Sequence, residues 1–398
     1  MISFSEAKSK ILSDFRPLGS ELVSLQSAHG RVLAEDVRAR RSQPPADLSA
    51  MDGYAVRAAD LAKVPCKLKV IEEIPAGAVP KKTLGPGETA RIFTGAPLPV
   101  GADSILIQEN VTQPDLPTIE ALETPDKGRY VRAKGIDFGE GDLGIEAGVQ
   151  LSPRHIALAA AMNYPWLQVR RKPRVAILST GSELRNPGEP LAPGQIISAN
   201  SASLAALVQS QGGEVVQLGM VPDDTPALVA ALDQAKTCDL IVTSGGASVG
   251  AHDLVGNHLK QHGLKVGFWK IAMRPGKPLI YGSYSGTAFL GLPGNPVSSL
   301  VGGILIVAPI IAACLGLPDP TQNWQVRRLA KAIPANDQRE EFMRAIINPD
   351  ASVLAFPSQD SSLLSPLAQA DGLIRRPAHA PEFAEGTKVD FLPFVPRF

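Results

Sequence analysis

The sequence predicts a multidomain α/β protein built around a doubly wound, mostly parallel β-sheet. Strand-like and helix-like runs alternate between residues 172 and 317, a pattern typical of βαβ units whose sheet is covered on both faces. The flanking segments lack this alternation and are rich in short apolar runs between Gly and Pro clusters. The predicted strands are Arg174–Leu178, Glu214–Leu218, Asp239–Thr243 and segments near 278–281 and 287–291, and the predicted helices are Ser198–Gln211, Pro226–Lys236 and Asp253–His262.

The flanking segments predict three further parts. Residues 1–40 read as helix, with one apolar face followed by a second apolar set, and 138–170 returns to helix behind a Ser-Pro cap. The residues that carry this prediction are Phe4, Ala7, Ile11, Leu12, Leu22, Val23, Leu25, Ser152 and Pro153. The predicted domains are 1–44 with 138–171 (helical), 45–137 (inserted, β-rich), 172–317 (central α/β) and 318–398 (a small β-barrel or sandwich).

Composition excludes several classes of protein. Lys plus Arg and Asp plus Glu number 39 each, so the basic footprint of a nucleic-acid-binding protein is absent. Cys66, Cys238 and Cys314 are far apart in the sequence, which favours reduced thiols in a cytoplasmic protein over a disulfide or metal role. The N-terminus has no apolar region of the signal-peptide type.

One charge-free stretch of 18 residues, Leu300 to Leu317, meets the lower length limit for a membrane-spanning helix. Gly302, Gly303 and Gly316 interrupt it, and Pro309 is expected to break or kink a helix there. A buried helix packed against the sheet is therefore favoured over a membrane span.

Three polar loops follow strands of the predicted central sheet. They are Ser179–Leu184, Thr243–Gly250 and Gly291–Pro296. Because ligands bind outside the carboxyl ends of parallel strands, and glycines let backbone N–H groups approach an anion, these loops predict a phosphate-binding site. The alternative for each loop alone is an ordinary tight turn. The predicted binding residues are Ser179, Thr180, Gly181, Ser244, Gly245, Gly246, Ser248, Gly250, Pro293, Gly294, Asn295 and Pro296.

Charged residues lie beside these loops. Glu183, Asp223 and Asp253 are the carboxylates that Mg²⁺ needs next to a phosphate, although an aspartate here is equally a helix N-cap or a turn residue. Arg274 and Lys277 lie in a Pro/Gly turn that suits an oxyanion, with a solvated turn as the alternative.

Histidines in the predicted helix after the second loop have the spacing of a metal motif. His258 and His262 are four residues apart, but no glutamate follows as in HExxH, so a solvated helix face is favoured over a zinc site.

Motifs along the whole chain resemble those of the MoeA-type molybdopterin molybdenumtransferase family, which also supplies one region of gephyrin. Each motif is weak alone, and their number, order and spacing make the match specific. They are Gly30-Arg-Val-Leu-Ala-Glu-Asp-Val37, Ser49-Ala-Met-Asp-Gly-Tyr-Ala-Val56, Arg91-Ile-Phe-Thr-Gly-Ala-Pro97, Gly101-Ala-Asp103, Gly135-Ile-Asp137, Ser179-Thr-Gly-Ser-Glu-Leu184, Ser244-Gly-Gly-Ala-Ser-Val-Gly250, Pro275-Gly-Lys-Pro278, Gly291-Leu-Pro-Gly-Asn-Pro296 and Arg339-Glu-Glu-Phe-Met-Arg344.

The resemblance implies an enzyme that takes adenylylated molybdopterin and molybdate, gives molybdenum cofactor and AMP, and uses Mg²⁺. It implies an elongated helical domain, an inserted β domain, a central α/β domain and a C-terminal β-barrel, in a homodimer with a shared active site. Its catalytic positions match Asp52, Thr94 and Asp137 from one subunit and Glu183, Asp223 and Asp253 from the other, the last three also binding the cation. The molybdate pocket matches Arg274, Lys277, Arg344 and Ser361.

Two other functions remain open from the sequence. A molybdopterin adenylyltransferase shares the central fold and the Ser-Gly-Gly loop, and is also a candidate partner, but it normally lacks the flanking domains. A non-enzymatic scaffold of the gephyrin type would normally carry an additional domain. This chain also departs from the family at Gln338, at Ala247 and at Asp360, whose charge opposes molybdate beside Ser361.

Overall fold

The computed structural model describes residues 1–115, 117–222, 224–245 and 259–394. The chain forms two compact units: Leu22–Val169, and Met1–Glu21 together with Arg170–Phe398. The first unit contains the segment that carries Asp52 and Thr94. The second contains the parallel sheet and the C-terminal region.

The helices and strands are numbered along the chain. The helices are α1 (Phe4–Ser13), α2 (Pro153–Ala161), α3 (Asn200–Ser210), α4 (Thr225–Gln234), α5 (Pro296–Gly302), α6 (Ala308–Leu315) and α7 (Leu364–Gln369). The strands are β1 (Ile2–Ser3), β2 (Ser20–Ser24), β3 (Val37–Arg38), β4 (Leu48–Ser49), β5 (Gly53–Val56), β6 (Cys66–Ile74), β7 (Glu88–Ile92), β8 (Ser104–Ile107), β9 (Val111–Asp115), β10 (Thr118–Ala121), β11 (Val131–Arg132), β12 (Leu143–Ile145), β13 (Trp166–Arg170), β14 (Arg174–Thr180), β15 (Leu184–Arg185), β16 (Ile196–Ile197), β17 (Glu214–Val221), β18 (Leu240–Ser244), β19 (Leu264–Trp269), β20 (Ile271–Arg274), β21 (Ile280–Tyr284), β22 (Thr287–Leu292), β23 (Gln325–Arg328), β24 (Glu340–Ile347), β25 (Val353–Ala355), β26 (Gly372–Arg376) and β27 (Lys388–Pro393).

The central sheet confirms the predicted, mostly parallel arrangement. Its strand order is β17-β14-β18-β22-β21-β19, and the first four strands are parallel while β21 and β19 are antiparallel to their neighbours. Strands β14 and β18 are continuous apolar runs because both of their faces are buried. The register aligns Ser179 with Ser244 and Ser244 with Leu292, so three strands end side by side.

Helices cover this sheet on both faces. The chain steps from β14 to the edge strand β17 through α3 and then back to β18 through α4. Since both crossovers are right-handed by the general rule for parallel strands, steps in opposite directions put α3 and α4 on opposite faces. Leu228 and Leu232 of α4 are buried in one cluster with Ala176 and Ile241 of the sheet. The predicted helices 198–211 and 226–236 match α3 and α4 within two residues.

The apolar stretch forms one helix from Pro296 to Leu315, which is long and apolar enough to cross a membrane, and 83% of its 18-residue apolar window is buried inside the protein. This confirms the predicted buried helix. Of the expected break or kink at Pro309, the break is wrong, since the helix continues past this residue. Residues Gly303–Val307 form a π-helical turn that joins α5 to α6, and Pro309 lies in the first turn of α6. The wider turn accommodates a proline, which lacks the N–H of a regular α-helical bond.

The helical prediction for residues 1–40 is correct only for α1. Ser3 caps α1 by accepting a hydrogen bond from Glu6 N, but Leu22 and Val23 lie in β2, and Leu25 begins a short 3₁₀ turn. Strand β2 pairs with β13, about 140 residues away, so local periodicity could not reveal it. In the segment 138–170, only Pro153–Ala161 is α-helical.

The unit Leu22–Val169 contains a six-stranded sheet of order β8-β5-β7-β6-β10-β9, within the segment predicted to be β-rich. Its two apolar clusters are centred on Tyr54 and Leu106, and on Ile92 and Ile105. The strand β5 carries the Gly53–Val56 part of the motif that contains Asp52.

The C-terminal region forms a second sheet with the order β1-β20-β24-β26-β27-β23, and β25 pairs with β24. Strands β1 and β20 come from outside residues 318–398 and are parallel to their neighbours, with Ile2 beside Ile271 and Met273 beside Glu340. Leu329 bridges Val353 of β25. A buried cluster that includes Leu329 and Phe391 fills one face.

Candidate functional site: the carboxyl edge of the central sheet

The three predicted loops meet at one edge of the central sheet. A Cβ placed on Gly294 would be 3.6 Å from the Cα of Gly245, and a Cβ on Gly245 would collide with the carbonyl oxygen of Thr180. Gly245 also has φ +96°, which disfavours any side chain. The prediction that the loops converge is therefore confirmed for their described residues.

Three buried hydroxyl groups at this edge have no hydrogen-bond partner in the described part of the chain. They are Ser179 Oγ, Thr180 Oγ1 and Thr243 Oγ1, and their residues are at most 6% exposed. A buried polar group without a partner costs about 1–3 kcal/mol. An ordinary tight turn gives no reason to keep three such groups together, whereas an anionic ligand would accept hydrogen bonds from them.

The Ser244 hydroxyl has a different environment, although it was predicted to bind the ligand. It accepts a hydrogen bond of 2.7 Å from Asn200 Nδ2 and contacts Ser299 Oγ at 3.3 Å, and it lies 3.4 Å from the carbonyl oxygen of Pro293. Its side chain is 2% exposed. The protein therefore satisfies this hydroxyl internally, and Ser244 joins the second loop to the third.

Sequence reasoning missed Asn200 and Ser299 as residues of this site. Asn200 begins α3 and also donates to the carbonyl oxygen of Gly294 at 2.7 Å. In a sequence, an asparagine at a helix start is interpreted as a local N-cap, so its hydrogen bonds to distant residues are not predicted. Ser299 is fully buried on α5 and lies in an apolar run, so only its burial identifies it.

The third loop also contacts the C-terminal region. Asn295 Nδ2 donates to Ser361 Oγ at 2.8 Å, and the N–H of Val297 donates to the carbonyl oxygen of Ser361 at 3.0 Å. Pro296 occupies the first position of α5, where no N–H is required. Ser361, which the family resemblance assigns to the molybdate pocket, thus lies beside Asn295 of the third loop.

The structure describes only part of the predicted cation site. Glu183 is exposed in the first loop, and a Cβ on Gly181 would lie 2.7 Å from a Glu183 carboxylate oxygen, so the glycine makes room for that carboxylate. The described residues contain no cluster of three His, Cys, Asp or Glu side chains that would hold a metal. The following predicted site residues lie outside the described part of the chain: Asp223, Gly246, Ser248, Gly250 and Asp253. His258 lies outside it as well.

The Arg274–Lys277 turn lies beside the first residues of β24. Arg274 is exposed and lies 3.7 Å from the carboxylate of Glu341, which also forms a buried 3.0 Å ion pair with Arg376. Arg339 binds Asp337 through hydrogen bonds and, with a smaller contribution from Arg274, lowers the pKa of Asp337 to about 2. In the described residues, no hydrogen bond or ion pair joins this turn to Ser361.

Arg344 is 1% exposed and is held by backbone carbonyl groups. Its guanidinium donates to the carbonyl oxygens of Leu363, Ser358 and Asp360 at 2.7–3.1 Å. Burial lowers the pKa of Arg344, and the nearby Asp360 partly opposes this. The contacts fix the loop that carries Ser361. The Asp360 carboxylate accepts two hydrogen bonds from Ser362, which lower its pKa.

In the other unit, the structure brings together two predicted catalytic residues. Asp52 Oδ1 accepts hydrogen bonds from Thr94 N at 2.7 Å and Thr94 Oγ1 at 2.8 Å, and these bonds lower the pKa of Asp52. Both side chains are exposed. Asp137 is also exposed, and its N–H donates to Gln43 O at 3.1 Å, without a contact to Asp52 in the described residues.

The fold and this edge define a protein with a mostly parallel sheet whose carboxyl edge carries converging loops and buried hydroxyl groups without a partner in the described residues. Three family models match successive segments: the MoeA N-terminal region (domain I and II) at 2–163, a probable molybdopterin binding domain at 176–313, and the MoeA C-terminal region (domain IV) at 326–394. The chain therefore belongs to the MoeA family of molybdopterin molybdenumtransferases.

Individual relatives cover nearly the whole chain. Molybdopterin molybdenumtransferase 2 of Mycobacterium tuberculosis is 39% identical over 380 residues, which cover 92% of this chain and 93% of the relative. The Haemophilus influenzae molybdopterin molybdenumtransferase is 36% identical and covers 99% of each chain. A crystal structure of the molybdopterin biosynthesis MoeA protein from Pyrococcus horikoshii has a TM-score of 0.89 at 33% identity and covers 100% of both chains.

Proposed function

We propose that the protein is a molybdopterin molybdenumtransferase. It takes adenylylated molybdopterin and molybdate and releases molybdenum cofactor and AMP. The observation that carries this proposal is the sheet edge where Thr180, Gly245 and Gly294 meet and three buried hydroxyl groups have no partner in the described residues. The names of the relatives support the choice of substrate.

The edge residues act by binding and orienting the phosphate groups. Ser179, Thr180 and Thr243 donate hydrogen bonds, and Gly245 lets the backbone come close to the ligand. Glu183, with Asp223 and Asp253, would hold Mg²⁺, which would neutralise charge on the phosphate link to AMP. The open carboxylate of Glu183 beside Gly181 fits this role.

Arg274 and Lys277 hold molybdate as a substrate. Their charges place a molybdate oxygen for attack on the phosphorus of the AMP group, and the P–O bond to the molybdopterin phosphate breaks. The molybdenum then moves from the AMP oxygen to the two dithiolene sulfurs, whose protons leave with one molybdate oxygen as water, and AMP is released without a change of oxidation state. Ser361 lies at the third loop, where its hydroxyl accepts a hydrogen bond from Asn295, and it would contact the substrate from there. Arg344 supports the pocket by holding the loop that carries Ser361, because its own donors are bound to carbonyl groups.

The active enzyme is a cytoplasmic homodimer with a shared site. Asp52, Thr94 and Asp137 of one subunit act at the central sheet of the other, and a molybdopterin adenylyltransferase supplies the substrate. Each subunit has the four predicted domains, with residues 318–398 as a β-barrel. The bridge from Leu329 to Val353 supports this closure, since it links the chain after β23 to β25.

The decisive experiment is molybdate-dependent AMP release. Purified protein is given adenylylated molybdopterin and Mg²⁺, with and without molybdate, and AMP is measured by chromatography. Release only with molybdate supports the proposal. If no AMP appears while the protein adenylylates free molybdopterin with ATP, it is an adenylyltransferase; if neither reaction occurs, a scaffold role is favoured.

The shared site has its own test. Asp52→Ala and Asp253→Ala are each expected to lose activity. Mixing equal amounts of the two after dissociation and reassociation is expected to restore about a quarter of wild-type activity, because about half of the dimers are mixed and one of the two sites in each mixed dimer is intact. Two Asp52→Ala preparations mixed in the same way serve as the control. No recovery in a mixture shown to contain mixed dimers would rule out sharing.

A further inference from the structure

We propose that Asn200 is a positioning residue that sets the distance between the second and third loops of the substrate site. This inference rests on the proposed function, because the loops are read as the phosphate-binding site. Asn200 Nδ2 donates one hydrogen bond to Ser244 Oγ and another to the carbonyl oxygen of Gly294, both at 2.7 Å. A single amide group therefore connects the ends of two loops.

These bonds act on the part of the site where the backbones approach most closely. Gly245 follows Ser244 directly, and a Cβ on Gly294 would be 3.6 Å from the Gly245 Cα. The N–H of Gly245 also donates to the carbonyl oxygen of Leu292 at 3.2 Å. Loss of the Asn200 amide leaves this weaker bond, the long 3.4 Å bond from Ser244 Oγ to the carbonyl oxygen of Pro293, and the Ser244–Ser299 contact to hold the two loops in register.

The position of Asn200 in the fold explains why it can hold this geometry. It is the first residue of α3, which packs against β14 and β17 of the same sheet. The preceding Ser198 N–H donates to the carbonyl oxygen of Arg185 at 2.9 Å. The helix start is thus anchored independently of the two loops and provides a fixed point from which their spacing is set.

If Asn200 is a positioning residue, its substitution should weaken substrate binding while the protein still folds. In Asn200→Ala, the KM for adenylylated molybdopterin is expected to rise about tenfold, the effect of losing roughly one net hydrogen bond in the bound state. We expect kcat to stay within about threefold, because Asn200 touches no reacting atom. Binding measured by isothermal titration calorimetry in the absence of molybdate should weaken by the same factor.

The matched control is Asn348→Ala. Asn348 Nδ2 donates to Ser352 Oγ at 3.0 Å in the turn after β24, so this variant also removes an asparagine–serine hydrogen bond. It is expected to have wild-type KM and kcat. Asn200→Asp provides a second variant of nearly the same shape that cannot donate, in case the alanine variant does not fold; its melting temperature and circular dichroism verify folding.

A double-mutant cycle tests whether Asn200 acts through Ser244. The KM effects of Asn200→Ala and Ser244→Ala should be less than additive, because both remove the same bond.

The proposal is overturned if both folded Asn200 variants have KM and affinity within twofold of wild type. It is also overturned if the variants lose only kcat. If wild-type protein binds adenylylated molybdopterin but releases no AMP, the proposed function fails, while calorimetry still measures the positioning effect. If wild-type protein does not bind it, both proposals fail.

Discussion

The edge of the central sheet and the C-terminal sheet differ in whether their buried polar groups have hydrogen-bond partners within the protein. At the edge, Ser179, Thr180 and Thr243 are buried with hydroxyl groups that have no partner in the described residues. In the C-terminal sheet, the buried guanidinium of Arg344 donates to three backbone carbonyl groups. Both regions contain residues that resemble family binding positions.

Under the proposed function, this difference separates hydroxyl groups that would bind a ligand from a guanidinium group that holds a loop. A protein leaves a buried donor without a partner at a cost in stability, which a bound anion can offset. A buried charge surrounded by carbonyl groups is already committed to the fold. Under the proposed function, we therefore expect the edge hydroxyls to bind the ligand directly and Arg344 to act indirectly, by holding the loop that carries Ser361.

The largest expected effect is at Gly245. Gly245→Ala forces the second loop away from the Thr180 carbonyl, and a misplacement of about 1 Å at such a site costs about 100-fold in binding or rate. The kcat/KM of AMP release measures this. Gly386→Ala is the control, because Gly386 has a similar φ of +80° and no atom within 4 Å of a new Cβ. If both variants lose kcat/KM equally, the effect is due to backbone strain alone and not to the approach of Gly245 to Thr180.

Arg344→Met is expected to lower the free energy of unfolding by about 3 kcal/mol, because it leaves buried carbonyl groups without donors. Urea denaturation followed by circular dichroism measures this change. Arg328→Met, at an exposed position of β23, should leave stability within about 0.5 kcal/mol. If the Arg344 variant is as stable as wild type but its AMP release no longer depends on molybdate, Arg344 is instead a direct ligand of the anion.

A smaller effect is expected at Thr243. Thr243→Val removes a hydroxyl that has no partner in the described residues, so affinity for adenylylated molybdopterin should fall about tenfold while stability is maintained. Ser299→Ala is the counterpart, since it removes a contact to Ser244 and should reduce stability by about 1 kcal/mol. Calorimetric titration and thermal unfolding measure the two quantities. If Thr243→Val is less stable than wild type but binds adenylylated molybdopterin with wild-type affinity, the Thr243 hydroxyl has a structural role and the distinction between the two regions is wrong.

The smallest effect concerns the Asp52–Thr94 pair of the other unit. Thr94 holds the pKa of Asp52 below its ordinary value of 3.8, so the pair stabilises the fold above that pH and the contribution is lost as pH falls through the lowered pKa. Thr94→Val should raise this pKa, as measured by carbon-13 NMR of the carboxyl group. Asp350, which is held by Ser352, is an internal control and should not change. An unchanged Asp52 pKa would show that the pair does not form in solution.

Sequence reasoning succeeded where the relevant interactions are local. The strands at Arg174–Thr180 and Leu240–Ser244 and the helix Thr225–Gln234 follow from short apolar runs and caps. It failed at Leu22 and Val23, where an apolar set pairs as a strand with distant residues. Because the strand partner is remote in sequence, no window of residues 1–40 contains the information that selects strand over helix.

The sequence by itself determined the family, the parallel sheet and the three loops at its edge, because motif spacing and βαβ alternation are properties of neighbouring residues. Only the tertiary structure decided which side chains remain available for a ligand. It showed that the Ser244 hydroxyl is bound by Asn200 and that Arg344 is bound by the loop of Ser361. Hydrogen-bond satisfaction depends on atoms brought together from distant segments, so residue identity alone cannot specify it.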